Sequence, residues 1–137
     1  MNAISLAQPA YTTAVKLRGY TAHRTVLGMT TIQDSARALR RLAPAWSKTD
    51  HLDLAQAHAQ QFEQIEQQYN QTLDEAAHAT FGRPFQFHDY RVSAIGREEF
   101  SETHKCALRQ LRRQAQDHKT LARAHWAAAG HRKDYFQ

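Results

Sequence analysis

The sequence predicts an all-α protein whose main feature is a hairpin or bundle of two long helices. Two long stretches, over about residues 50–80 and 97–129, repeat apolar side chains at helical spacing. A shorter stretch over about residues 31–43 shows the same pattern. With 137 residues, the sequence predicts a single domain that is large enough to bury its own core.

The first long helix begins at the N-cap types Thr49 and Asp50 and ends before Gly82 and Pro84. Its apolar positions share an arc of about 120° on the helical wheel. They are Ala55, Ala59, Phe62, Ile65, Tyr69, Leu73, Ala76 and Thr80. Glu66 lies inside this arc, which predicts a buried carboxylate with a basic or histidine partner.

The second long helix ends at Gly130 and carries acidic side chains in its first turns. Its apolar arc also contains His104, His118 and His125. A separate arc of about 80° forms a cationic stripe. The stripe consists of Lys105, Arg109, Arg112, Lys119 and Arg123, with Arg113 at its edge.

The short helix is predicted from a capping-box pattern, in which Thr31 is followed three residues later by Asp34, and it ends at Pro44. Its apolar face is marked by Ala36, Leu39 and Leu42. Residues 9–28 stay ambiguous, because two helical turns and a short hairpin both fit the pattern.

Charge is sorted along the chain into three blocks. Residues 1–48 carry seven Lys and Arg against one acid, residues 49–82 carry six acids and no Lys or Arg, and residues 83–137 carry eleven bases against six acids. Sorting of this kind points to surface contacts, within the chain or with a partner. The single Cys106, the lack of a segment of about 20 apolar residues and the lack of a signal peptide predict a cytoplasmic protein without membrane contact.

The connector between the long helices, residues 83–96, interleaves aromatic and basic side chains. Phe85, Phe87 and Tyr90 alternate here with Arg83, His88 and Arg91. Connectors of this length are uncommon in small domains and are often functional. Two interpretations stay open, since the aromatics could close the end of a hairpin core or bind a partner.

No pattern in the sequence predicts a metal centre, a cofactor or a catalytic residue. The chain has no HExxH, no pair of cysteines and only one Glu-x-x-His, at Glu75 and His78. Adjacent members of the row His104, His118 and His125 are 7 or 14 residues apart, so the closest lie about 10 Å apart along the helix and cannot hold one ion alone. We therefore predict that the protein is not an enzyme, because no pair of groups with opposed acid and base roles is visible.

These surfaces predict a non-enzymatic protein–protein interaction module, an adaptor or inhibitor that engages an acidic partner or nucleoprotein. Small helical accessory proteins of phages and mobile elements act in this way on nucleic-acid machines, an analogy of size and class alone. The alternative is direct, sequence-nonspecific binding of DNA or RNA, and a homodimer would complete any exposed apolar face. The predicted binding residues are Arg37, Arg40, Arg41, Phe85, Phe87, Tyr90, Arg91, Lys105, Arg109, Arg112, Arg113, Lys119 and Arg123.

Overall fold

The computed structural model describes residues 20–85 and 99–136, with the side chain of Tyr20 left aside. Four helices lie in these residues: α1 Tyr20–Leu27, α2 Ile32–Leu42, α3 Lys48–Phe81 and α4 Glu102–Ala128. No strand occurs in the described ranges, which confirms the predicted all-α class with its long helix pair and short helix. None of the described helices is long and apolar enough to cross a bilayer.

The caps of the helices explain where they begin and end. Thr31 accepts a hydrogen bond from the Asp34 N–H at 3.1 Å, so the predicted capping box begins α2. The predicted cap of α3 at Thr49 or Asp50 was wrong, because the cap is Ser47, two or three residues earlier. Ser47 Oγ accepts from the Asp50 N–H at 3.1 Å, while Asp50 Oδ2 accepts from the Ser47 N–H at 3.0 Å.

The predicted start of α4 at residue 97 was also wrong. The helix begins at Glu102, because Ser101 Oγ accepts a hydrogen bond from the His104 N–H at 3.2 Å and caps the first turn there. The predicted helix ends are confirmed at Gly82, with φ +72°, and at Gly130, with φ +101°. Both glycines adopt the left-handed conformation that ends many helices.

The chain divides into two compact units, and α3 and α4 each contribute to both. Unit 1 comprises residues 1–62 and 116–137, and unit 2 comprises residues 63–115. In unit 2, Leu73 and Ala76 of α3 pack with Phe100 and with Leu108 of α4 in a small core. Glu66 is exposed there, so the prediction of a buried carboxylate was wrong. The prediction of a single domain stays a prediction.

Unit 1 holds the larger core, to which α1, α2 and the adjoining parts of α3 and α4 all contribute. Helix α1 packs against α2. The fully buried members Ala22, Val26, Leu39, Leu54 and Ala124 come from all four helices. Polar side chains are buried among them, and those side chains form the site described next.

Candidate metal centre

The same eight-residue pattern, His-x-x-Leu-Ala-x-Ala-His, occurs once in α3 and once in α4. It spans residues 51–58 as HLDLAQAH and residues 118–125 as HKTLARAH. Positions i, i+3, i+4 and i+7 of a helix share one face, so each pattern places its two histidines, its Leu and its first Ala on one stripe. Leu54, Ala55, Leu121 and Ala122 are buried accordingly.

The two patterns lie on antiparallel segments of α3 and α4, and their histidines contact each other in pairs. His51 Nδ1 lies 2.9 Å from His125 Nδ1. His58 Nδ1 lies 2.9 Å from His118 Nδ1. The first histidine of each pattern therefore contacts the last histidine of the other, through the same ring atoms and at the same distance. The arrangement has an approximate two-fold symmetry.

A fifth histidine, His23 of α1, joins the group beside the last histidine of each pattern. Its Nε2 lies 2.8 Å from Nε2 of His125, and its ring centroid lies 5.5 Å from that of His58. Trp46 covers the group, with ring centroids 5.2 Å from His23 and 5.3 Å from His125. Five of the nine histidines in the sequence thus belong to this group in unit 1, and all but the half-buried His118 are buried.

Three of these side chains, which we call the inner histidines, converge. His23, His58 and His125 each offer one ring nitrogen, and the three nitrogens lie within 4.8 Å of one another. All three side chains are buried, with exposed fractions of 5%, 1% and 0%. His51 and His118, the outer histidines, contact Nδ1 of His125 and of His58.

Burial keeps the inner histidines neutral. It lowers the pKa of His23 from 6.5 to about 4, with a further contribution from His51. Burial also lowers the pKa of His58 and of His125 well below the usual value, and neighbouring histidines add to both effects. A neutral imidazole has a free lone pair, which is the form that binds a metal ion.

Burial lowers the pKa of the outer histidines too, although a nearby carboxylate opposes it in each case. Asp50 opposes burial at His51, where Arg40 adds to the lowering, and Asp117 opposes it at His118. The outer rings therefore also favour the neutral form. A neutral ring can accept a hydrogen bond from the N–H of its inner partner.

The donor set and its dimensions fit one transition-metal ion. Ring nitrogens bind zinc at about 2.0–2.1 Å, so two nitrogens on a tetrahedral ion lie about 3.4 Å apart. The widest pair of inner nitrogens must approach by at most about 1.4 Å to reach that separation. Imidazole-only sites suit Zn²⁺, Cu²⁺ and Ni²⁺, whereas Mg²⁺ and Ca²⁺ require oxygen ligands.

The histidine row that the sequence predicts to be unable to hold one ion lies on a single helix. His104 of that row lies outside the group and contacts Ser101 Oγ through Nδ1 at 2.9 Å. The three converging nitrogens come from three helices instead. The signal that could have revealed them is the duplicated pattern, with histidines seven residues apart on two antiparallel helices.

The structure places some of the predicted cationic binding residues together in unit 1. Arg37, Arg40 and Arg123 line one open cavity, whereas Arg41 is exposed elsewhere on α2. Lys119 is half-buried, with Nζ 5.4 Å from the ring centroid of Phe62. Arg123 also pairs with Asp134 at 2.9 Å.

The remaining predicted residues are in unit 2 or outside the described ranges. Arg109, Arg112 and Arg113 are exposed, and Lys105 is half-buried beside Glu102 at 3.5 Å. Phe85 packs against the core of unit 2, in line with the core-closing interpretation. Three predicted residues, Phe87, Tyr90 and Arg91, lie outside the described residues.

Comparisons with known proteins give no relative for this chain: no family model, no curated protein and no solved structure matches it. Its function is therefore inferred from its own side chains.

Proposed function

We propose that this chain is a metal-binding protein, and that unit 1 holds one divalent transition-metal ion on His23, His58 and His125. The observation that supports the proposal is the convergence of three buried ring nitrogens, one from each residue, within 4.8 Å. They belong to α1, α3 and α4, so an ion would join three helices.

Core packing alone does not explain why so many imidazole side chains are buried in unit 1. A buried polar group costs free energy unless it is hydrogen-bonded, and Leu or Phe would fill the same volume without that cost. Pairwise hydrogen bonds account for the contacts of His125 with His23 and with His51. The ring of His58 brings a third nitrogen to the same place, which is the arrangement that metal coordination requires.

The outer histidines have a position that suits metal sites. A ligating histidine commonly uses its second ring nitrogen to donate a hydrogen bond, which fixes the tautomer and the ring orientation. His125 would bind the ion through Nε2, the atom that faces His23, and donate from Nδ1 to His51. His58 would donate from Nδ1 to His118 in the same way.

Three neutral ligands leave the ion with its full positive charge. A four-coordinate ion would keep one position open for water or another small ligand. The inner side chains are almost fully buried, so any such ligand would be shielded from bulk water.

The proposal is tested by titrating the purified, metal-free full chain with Zn²⁺, Cu²⁺, Ni²⁺ and Co²⁺. The expected stoichiometry is one ion per chain, with visible Co²⁺ bands typical of nitrogen ligands. His23→Gln and His58→Gln should each weaken binding more than about 100-fold, beyond the 10–100-fold cost of losing an outer partner. Circular dichroism checks that each variant folds.

His78→Gln is the matched control, because His78 is exposed in unit 2 and contacts the Asp74 carbonyl. Equal binding by the wild type, His23→Gln and His78→Gln would contradict the proposal. If His58→Gln does not fold, His23→Gln decides, since His23 belongs to the short α1.

The partner-binding function predicted from the charge pattern stays a second proposal. It is supported by the exposure of Arg37, Arg40 and Arg41 along α2, which leaves their guanidinium groups accessible to an acidic protein or to a phosphate backbone.

A further inference from the structure

Unit 1 has a second candidate site, separate from the histidine group, on its surface. An open cavity of about 680 Å³ lies between α2 and the C-terminal end of α4, together with the residues that follow α4. Cavities that bind cofactors and other small ligands usually measure about 300–1,000 Å³. The cavity is therefore large enough for one ligand of that class.

Five cationic side chains line this cavity. Arg37 and Arg40 come from α2, Arg123 from α4, and Arg132 and Lys133 from the residues after it. All except Arg123 are exposed, so their charges are available to a ligand. Within residues 20–85 and 99–136, the ion pair of Arg37 is a long, solvated one of 3.8 Å with Asp34, and a pair of that kind contributes little.

In the described part of the chain, the acid that lines the cavity is Asp134, and it is already paired. Arg123 Nε lies 2.9 Å from its carboxylate, and the Phe136 N–H donates to Oδ1 at 3.1 Å. Burial alone would raise the pKa of Asp134, but these two contacts outweigh it and lower the pKa. The carboxylate therefore stays charged and holds Arg123, while the other four cations keep the cavity strongly positive.

An aromatic wall completes the cavity. Trp126 and His131 both line it, with ring centroids 3.6 Å apart and planes within 5° of parallel. The indole Nε1–H donates to the Lys133 carbonyl at 3.0 Å, and Tyr135 packs against the indole edge-on with centroids 5.2 Å apart. The stacked pair is thus fixed from several sides and provides a rigid planar surface.

The geometry points to a binding site for a nucleotide unit, with its phosphates on the guanidinium groups and its base against the Trp126–His131 wall. Guanidinium groups bind phosphate oxygens in a bidentate manner, and bases of any type stack on aromatic rings. An acidic peptide would use the cations but would leave the flat wall without a planar partner. The nucleotide unit is either a free mononucleotide or one residue of a single strand.

Titration of the metal-free full chain with ATP, with tripolyphosphate and with a short oligothymidylate distinguishes a free mononucleotide from a residue of a single strand. The readouts are tryptophan emission and the anisotropy of the labelled oligonucleotide. Trp126 lines the cavity, whereas the other tryptophan, Trp46, is buried in the core, so quenching reports on the cavity. ATP, the oligonucleotide or both should bind, and ATP should bind at least tenfold more tightly than tripolyphosphate if the mononucleotide is the ligand.

Arg40→Gln should weaken binding at least tenfold, and Arg37→Gln should do the same. Lys48→Gln is the matched control, because it removes one positive charge from an exposed helical position that does not line the cavity. Equal losses of affinity in Arg40→Gln and Lys48→Gln would mean a nonspecific charge effect and would overturn the assignment. Binding of polyglutamate without binding of ATP or the oligonucleotide would overturn it as well, as would no binding at low salt.

Discussion

The imidazoles of His51 and His125 meet through their Nδ1 atoms, 2.9 Å apart, although the two residues are separated by 74 positions in the chain. The same contact at the same distance joins His58 to His118. Both pairs follow from one eight-residue pattern present on two antiparallel helices. The core of unit 1 is therefore built around a symmetric set of four imidazoles, to which His23 adds a fifth and breaks the symmetry.

The buried histidines predict that the metal-free chain loses stability in acid. The folded pKa of His23 is about 4, below its unfolded value of 6.5. The unfolded chain therefore binds more protons between these values, so stability is fully present above pH 6.5 and falls as the pH falls towards 4. His23 alone contributes about 3 kcal/mol to that loss, and the lowered pKa values of the other four histidines act in the same direction.

Urea unfolding in EDTA, followed by circular dichroism at pH 7.5 and pH 4.5, measures this effect. His23→Gln should show a smaller difference in the free energy of unfolding between the two pH values. Equal stability of the wild type at both pH values would show that these side chains are not buried as neutral groups.

The core of unit 1 predicts a large difference between two leucines of the same helix. Leu39 is fully buried, whereas Leu42, which the sequence assigned to the same apolar face, is 39% exposed. Leu39→Ala should lower the free energy of unfolding by about 2–5 kcal/mol, through lost burial and the cavity left behind. Leu42→Ala should change it by less than about 1 kcal/mol. Chemical denaturation of the two variants gives the comparison, and similar losses would be inconsistent with the packing of α2.

The reciprocal cap at the start of α3 is open to a simple test. Ser47→Ala removes the hydroxyl that accepts the Asp50 N–H and should cost about 1 kcal/mol of stability. Ser47→Thr keeps the hydroxyl and should cost less. The order of the two thermal midpoints checks the assignment, and a Thr variant as unstable as the Ala variant would argue against the cap.

The helices could be predicted from the sequence because the signals that form and end a helix are local. Apolar periodicity, the Thr31 cap and the glycines after each long helix act within a few residues of chain. The errors at the starts of α3 and α4 have different origins. At α3, Thr49 and Asp50 are cap types that compete with Ser47. At α4, acidic side chains of the kind that mark a first turn lie before Ser101 and favoured an earlier start.

The histidine group was not predicted, because it depends on contacts between distant segments. Each helix taken alone shows histidines seven residues apart, too far for one ion. Only the antiparallel pairing of α3 with α4 in unit 1 brings His51 to His125 and His58 to His118, and only the packing of α1 adds His23. Local periodicity does not carry that information, but comparison of the two patterns with each other would have indicated it.

Each outer histidine contacts Nδ1 of an inner histidine. We therefore predict that the outer histidines affect the affinity for the metal without binding the ion. His51→Gln removes the ring that contacts Nδ1 of His125, so the tautomer and orientation of His125 are less fixed. We expect metal affinity to fall about 10–100-fold, with one ion still bound per chain. His118→Gln should behave alike, because it contacts His58 in the same way.

The Co²⁺ spectrum separates this role from that of a ligand. The outer variants should keep the shape of the wild-type bands, whereas His23→Gln should change or abolish them. The control is His104→Gln, because His104 lies on α4 in unit 2 and contacts Ser101 Oγ. This variant should leave both the metal affinity and the Co²⁺ spectrum unchanged. A His51→Gln variant with the spectrum and affinity of His23→Gln would instead place His51 among the ligands, and the ion would then lie nearer to the His51–His125 pair than to His58.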